Sequence, residues 1–457
     1  MRVLPDDRRL SGDALVPALP QDHLPPLQGG DAPSEGPVRE SEALRADATR
    51  APVTANEFPR CRVVPRTFSL RHSTRSLAAL GIERLAIRDF RLVRGAELDL
   101  SPGANLFVGE NAQGKTTILE AVSYLARGRS FRTARDKECL ASIGAGAAGV
   151  ASAEARFLRH GSRRLVRAAI TPSGKTFWLD GKPLRTVGEL WGVLPIVTFL
   201  PDDLELVRGV PTVRRSLLDA LLAQVDPTGL AAMQSYGAAL RQRNALIRDR
   251  APAAQLDAWE AQMAQWAAKL LPRRQRLVVR LAECVAHQVQ ILSRGTEAVT
   301  VTHDTGWPAD SEIQKLTVAE AKTSALEEPL AAAWRDARAG DHDRLYTRHG
   351  PHRGDLVLRI NGRDARVYAS QGQARTLALA LRLAERELLE QITGEPPVLV
   401  LDDVLGELDR QRSEHFIRLL SRDGVQSLLT ATDAAPLEAE LPIGARFHVA
   451  GGTVRRT

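Results

Sequence analysis

Cysteine is scarce in this 457-residue chain: only Cys61, Cys139 and Cys284 are present. They form no CxxC pair and no metal-ligand spacing with histidine. That argues against a disulfide frame or a structural zinc and for a reducing compartment. Long apolar runs are missing too, and nothing approaches the roughly 18 residues that a transmembrane helix needs. Asp6, Asp7, Arg8 and Arg9 stand where a secretory signal would carry its apolar stretch. The expectation is a cytoplasmic protein with no membrane contact. No internal repeat is visible, and lysine is sparse beside arginine.

What is present is ordinary globular material: 44% apolar and 26% charged residues, in a chain long enough for two or three domains. The formal net charge of +7 permits a polyanionic partner without demanding one. Residues 1–80 stand apart. They hold ten of the 26 prolines and show no hydrophobic periodicity, so they are expected to be disordered. Two readings stay open: a flexible tail, or a mis-assigned start with the natural beginning near Leu77 to Ile82. The second is favoured.

Order is expected from Ile82. Residues 85–90 and 96–100 alternate as strands do. Asn105-Leu106-Phe107-Val108 is a short apolar strand running into a glycine loop, and residues 116–127 read as a helix. Short strands follow from about 147 to 200. Residues 203–295 are helical in pattern, with Pro211, Pro227, Pro252 and Pro272 expected to break them into segments. A strand-rich piece at 353–369, a helix from Gln373 to Ile392, a strand at 398–401, a helix near 410–420 and a strand at 427–430 complete the reading. The organisation is therefore a disordered extension (1–80), the first half of a head (81–202), an inserted helical arm (203–295) and the second half of the head (296–457).

Two segments carry recognisable chemistry. Gly109-Glu110-Asn111-Ala112-Gln113-Gly114-Lys115-Thr116 fits the P-loop spacing, between a strand and a helix. Its backbone N–H groups and the helix N-terminus suit phosphate oxygens. Lys115 would reach the β and γ phosphates, Thr116 would ligate Mg²⁺, and Thr117 would lie on the same helix start. In Val398-Leu399-Val400-Leu401-Asp402-Asp403, four apolar residues deliver two acids to the C-terminal edge of a buried strand, where ligands bind open α/β sheets. Asp402 would hold Mg²⁺, and Asp403 would orient or deprotonate water.

Three further segments gain meaning beside these. Ser370-Gln371-Gly372-Gln373 opens a helix and is either an N-cap or an anion site offered to the γ-phosphate of another subunit. Gly406-Glu407-Leu408-Asp409 would cross a dimer interface. Thr432, in Thr430-Ala431-Thr432-Asp433, would sense a γ-phosphate.

Together the motifs resemble the ABC ATPase superfamily, and in detail the RecF family of bacterial DNA replication and repair ATPases. The resemblance runs from Phe90-Arg91 through the P-loop, Leu119-Glu120-Ala121 and Gly128-Arg129-Ser130-Phe131-Arg132. It continues through Leu200-Pro201-Asp202-Asp203-Leu204, Arg214-Arg215, Gln242-Arg243-Asn244, Gly350-Pro351-His352-Arg353, the Ser370 segment and the acidic strand. It covers about residues 82–450. The chain departs from the pattern at Leu92, where the family usually has Asn, and at Gly354, where it usually has an acid; residues 1–80 have no counterpart.

The resemblance implies an α/β ABC-type head (a P-loop mixed sheet with helices) carrying the inserted arm, with ATP and Mg²⁺ as cofactors. It implies an ATP-dependent homodimer in which Ser370 faces the nucleotide held on the partner's P-loop. It also implies weak, DNA-dependent ATP hydrolysis, binding to gapped or ss/ds-junction DNA, and action with RecO and RecR to load RecA in recombinational repair and the SOS response. Candidate DNA contacts are Arg127, Arg129, Arg132, Arg135 and Lys137 after the first helix, and Arg241, Arg243 and Arg248 on the arm. A transporter ATPase fits less well, because its signature reads Leu-Ser-Gly-Gly-Gln and its strand ends Asp-Glu. An SMC-like chromosome-associated ATPase needs far longer coiled coils. A scaffold that binds ATP without turnover is the remaining alternative.

Overall fold

The computed structural model describes residues 80–140, 149–318, 322–403 and 410–457; the extension at 1–79 and the segment at 406–409 lie outside them. The first half of the head holds β1 (Gly81–Phe90), β2 (Val93–Asp99), β3 (Ala104–Val108), α1 (Lys115–Arg127), β4 (Ala151–Arg159), β5 (Ser162–Thr171), β6 (Gly174–Leu179), β7 (Lys182–Pro183) and β8 (Ile196–Phe199). Four helices follow: α2 (Glu205–Arg208), α3 (Pro211–Val225), α4 (Pro227–Arg248) and α5 (Ala253–Leu292). Then come β9 (Val299–Asp304), α6 (Glu312–Val318), α7 (Thr323–Arg344), β10 (Asp355–Ile360), β11 (Arg363–Asp364) and α8 (Ala365–Tyr368). The chain closes with α9 (Gln371–Thr393), β12 (Val398–Asp402), α10 (Arg410–Leu420), β13 (Ser427–Ala431), α11 (Ala435–Glu438), β14 (Ile443–Ala450) and β15 (Thr453–Arg456).

Among the described residues a 12-stranded sheet runs β7-β6-β5-β4-β1-β2-β15-β14-β3-β13-β12-β8. Its first six strands are antiparallel, whereas β14, β3, β13, β12 and β8 are parallel neighbours. The two halves meet where Thr453 of β15 pairs with Gly95 of β2. Alternation sets the faces of β1: Leu85 and Ile87 are buried while Arg84 and Arg88 are exposed. The parallel strands are covered on both faces and read as continuous apolar runs. Within β3, Phe107 packs with α1 on one side, and Leu106 and Val108 pack with α3, α5 and α9 on the other. Residues from both ends of the chain therefore build one sheet, the mixed α/β head expected from the motifs.

Proline acts differently along the helical insertion. Pro211 and Pro227 occupy first-turn positions and Pro252 is an N-cap, where the missing N–H costs nothing. Pro272, expected to break a helix, lies buried inside the 40-residue α5. An interior proline costs roughly 3 kcal/mol. Here the helix is held on both sides of it: Met263, Ala267 and Leu271 pack in the arm, and Leu277, Leu281 and Val285 pack in the head. The arm's core also extends past residue 295. Leu326, Leu330 and Trp334 of α7 are buried against Tyr236, Met263 and Trp307.

Arg243 is the polar centre of that arm. It is fully buried, paired with Glu260 at 2.9 Å and Asp341 at 2.8 Å, and it donates to Thr347 Oγ1 at 2.7 Å. Its placement among the DNA-contact candidates is thereby corrected. Arg127 is corrected likewise: it is buried, donates to the Ile196 carbonyl at 3.2 Å and faces Glu385 at 3.8 Å. Burial pushes its guanidinium down to about 10 despite Glu385. In both cases the cause is packing against groups far away in the chain, which the neighbouring sequence does not show. Arg129, Arg132, Arg135, Lys137, Arg241 and Arg248 are exposed.

Candidate nucleotide site

β3 ends at Val108, and the chain turns at once into the phosphate loop. Gly109 is required by close approach, since a Cβ there would meet the Val449 carbonyl oxygen of β14 at 2.2 Å. Glu110, Asn111 and Ala112 are exposed at the loop tip, Ala112 with φ 63°. Gln113 is tied to the β14–β15 turn: its Oε1 accepts from Gly451 N at 2.7 Å and its carbonyl from Gly452 N at 3.1 Å. Gly114, at φ 108°, is the N-cap of α1. The buried Lys115 curls back over the loop and donates from Nζ to the carbonyls of Gly109 (2.5 Å) and Glu110 (3.0 Å). Thr117 is buried under the helix start. The loop thus places a helix N-terminus and an ammonium group side by side, which suits a polyphosphate.

The second half of the chain completes the site. β12 lies beside β13, and β13 beside β3, with Ala431 opposite Val108. This register brings the acidic strand's end to the loop. The Thr116 hydroxyl lies 3.0 and 2.9 Å from the two oxygens of Asp402. A hydroxyl and a carboxylate at one point form a hard oxygen donor set of the kind Mg²⁺ takes beside phosphate oxygens. Asp403 follows at φ 51°. Its carboxyl is held above the ordinary range by burial and by Asp402, while Lys115 pulls it back down.

The sequence singled out Thr432 of the 430–433 segment and assigned Thr430 no role of its own. Thr430 Oγ1 donates to Asp402 Oδ1 at 2.8 Å and accepts from Asp403 N at 3.0 Å, so it fixes both acids. A hydroxyl near the C-terminal end of a mostly apolar strand was the available hint. Thr432 is exposed just beyond β13, where Gly109 N meets the Ala431 carbonyl at 3.4 Å.

Ser370 and Gln373 form a capping box at the start of α9. Ser370 Oγ accepts from Gln373 N at 3.2 Å, and Gln373 Oε1 accepts from Ser370 N at 2.9 Å. Ser370 is exposed, and neither residue hydrogen-bonds the phosphate loop within the chain among the described residues. Arg412 of α10 donates to Thr376 Oγ1 at 2.6 Å, linking α9 to the helix that follows the acids. Glu120, fully buried on α1, pairs with Arg91 at 2.7 Å and accepts from Ser130 Oγ, which anchors the segment after α1.

A head closed from both chain ends, with a phosphate loop on β3 and acids on β12, defines an ATPase head of the ABC/SMC class. The RecF/RecN/SMC N terminal domain family model matches residues 81–447. The DNA replication and repair protein RecF of Synechococcus sp. (strain JA-2-3B'a(2-13)) is 38% identical over 78% of this chain and 93% of its own length. That of Symbiobacterium thermophilum is 36% identical over 82% and 97%. A solved structure of the recombination mediator protein RecF with ATP, from the RecFOR pathway, is 27% identical, with TM-score 0.76, covering 84% of this chain and 100% of that one. The chain belongs to the RecF family.

Proposed function

We propose that this chain binds ATP with Mg²⁺ in the cradle of residues 109–117, closes on a second copy of itself, and in that state binds DNA in replication and recombinational repair. The observation that carries the reading is the Thr116–Asp402 pair beside Lys115. Lys115 neutralises the β and γ phosphates, and Thr116 and Asp402 hold the metal. When bound, Mg²⁺ supplies charge neutralisation at the transferring phosphoryl group. Asp403, with its raised carboxyl, orients the attacking water and accepts its proton. Thr432, at the end of β13, reads the γ-phosphate.

The exposed Ser370 and the half-buried Gln373, at the N-terminus of a long helix, are offered to the γ-phosphate held by the partner copy. That contact makes ATP prefer the closed state, the differential affinity that a ligand-driven closure needs. Slow hydrolysis, stimulated by DNA, resets the clamp. Exposed Arg129, Arg132, Arg135, Lys137, Arg241 and Arg248 meet DNA phosphates with little sequence preference. The solved relative belongs to the RecFOR pathway, which supports action with RecO and RecR. In this reading the chain works at gapped DNA or ss/ds junctions and helps load RecA in the SOS response. No described helix is long and apolar enough to cross a membrane, in keeping with work in the cytoplasm on the nucleoid.

The test is the mass of the full chain by light scattering, with and without Mg·ATP, using Asp403→Asn to suppress turnover, repeated with gapped DNA. Doubling of mass with ATP and salt-sensitive DNA binding support the reading, and Lys115→Met abolishes both. A monomer indifferent to ATP overturns it and leaves Ser370 as a helix cap.

A further inference from the structure

The far end of α1 borders a second concavity. The phosphate cradle takes the N-terminus of this 13-residue helix. At its C-terminus, about 20 Å away, lies a hollow of about 510 Å³ bordered by Ser123, Arg127, Arg129, Phe131, Arg132 and Lys175. Its size is that of a small-ligand pocket. The segment beside it is held in shape. The chain reverses at Gly128, and Ser130 Oγ accepts from the N–H groups of Arg132 at 2.9 Å and Thr133 at 3.1 Å while donating to the buried Glu120.

A helix C-terminus is the negative end of the macrodipole and by itself repels anions. Here the side chains reverse that sign. Lys175 donates to the Gly128 carbonyl at 2.8 Å and pairs with Asp136 at 2.8 Å. Among the described residues Asp136 is the one acid on the border, against four cations. Arg132 faces Glu120 at 3.7 Å. The exposed Arg129 lies over the Trp191 ring at 5.6 Å and pairs with no carboxylate among the described residues.

Two buried polar atoms of the border lack partners. Ser123 is 1% exposed and Arg127 9%. Ser123 Oγ and Arg127 Nε find no hydrogen bond among the described residues. A buried donor left unpaired is destabilising, and an oxyanion accepts from a hydroxyl and a guanidinium N–H alike.

We propose that this hollow is a second anion site, built for a phosphate monoester: the terminal phosphate of a sugar phosphate, either free or at the end of a DNA strand. A terminal phosphoryl group protrudes from its sugar and approaches a double charge near neutral pH. It can therefore enter a hollow and match a surplus of cations. A backbone phosphodiester is flanked by two sugars and carries a single charge. Phe131 and Ala134 supply apolar surface for the sugar.

Two measurements on the full chain test this. Calorimetric titration of Lys115→Met, in which the ATP cradle is disabled, uses ribose 5-phosphate and ribose; saturable binding of the first alone is expected. Fluorescence anisotropy of the wild type with Mg·ATP uses one gapped DNA with its strand ends phosphorylated or dephosphorylated. If strand ends occupy the site, the phosphorylated DNA binds about tenfold more tightly. If the occupant is a free sugar phosphate, the two DNAs bind alike while ribose 5-phosphate still binds. Ser123→Ala, added to either chain, separates binding from folding. Removing a partnerless hydroxyl should leave the thermal melt unchanged or raise it, yet weaken the monoester about tenfold. A chain that binds ribose 5-phosphate no better than ribose and ignores end phosphorylation overturns the site, and so does a Ser123→Ala chain that binds the monoester at full strength.

Discussion

The Thr116 hydroxyl and the Asp402 carboxylate meet at 2.9 Å although 286 residues separate them in the chain. Everything between them, including the arm, is inserted into a single phosphate site. The register of β12, β13 and β3 holds this contact, and Thr430 locks it from the side.

Asp402→Asn is expected to lower Mg²⁺-dependent ATP turnover about 100-fold or more, since metal charge stabilisation is worth several kcal/mol and each 1.36 kcal/mol is tenfold. Circular dichroism should be unaltered, because Thr430 and Thr116 can still hydrogen-bond an amide. Steady-state phosphate release measures it, and turnover within threefold of wild type removes Asp402 from the metal site.

Asp403→Asn is expected to keep ATP binding and reduce hydrolysis by about 10²–10⁴-fold. Single-turnover phosphate release, measured beside equilibrium ATP binding, separates the two effects; hydrolysis within threefold of wild type removes Asp403 from the water-orienting role.

Arg243→Met should destabilise the arm by about 3–5 kcal/mol, the usual result of leaving buried carboxylates without their cation. Glu260 and Asp341 would be the orphaned acids. Urea unfolding is the measure. A stable Arg243→Met that instead loses DNA affinity would return this residue to the DNA-contact candidates.

Stability should fall between neutral pH and pH 5. Burial pushes His303 down to about 3 and His352 down to about 4. Both imidazoles fold neutral, and His352 Nδ1 lies 2.7 Å from the Tyr236 hydroxyl. The unfolded chain takes up these protons near pH 6.5 and the folded chain does so only lower. The stability is therefore complete above 6.5 and drains away as pH falls toward the folded values, by about 2 kcal/mol for His352 by pH 5. Thermal melts of wild type and His352→Gln across this range test it; the variant should lose part of the slope.

Arg129→Ala and Arg135→Ala should each weaken binding to all DNA sequences alike and reduce the slope of log K against log salt by about 1. Fluorescence anisotropy at several salt concentrations reads this. Unchanged slopes would move the DNA surface elsewhere, with Arg241 and Arg248 next to be tested.

The phosphate loop and the acidic strand were legible because each is a contiguous segment whose backbone need is local: glycines for a tight loop, four apolar residues for a buried strand, acids at its end. The helix starts at Ser370, Pro211 and Pro227 were legible for the same reason. The long α7 was not read, although Leu326, Leu330 and Trp334 recur every fourth residue and are all buried; Pro329 within that stretch masked the pattern.

The sequence by itself located the phosphate-loop segment and the acid-tipped strand, because each pattern depends on residue type and spacing within a few residues. Only the tertiary structure decided which arginines are free. Arg127 and Arg243 carry no local sign of burial, yet acids on other helices take them into the interior. Thr430 acts on the two acids only because β13 lies beside β12, and Pro272 is tolerated only because two cores grip α5. Burial and register are sums over contacts far apart in the chain, and a local pattern carries no record of them.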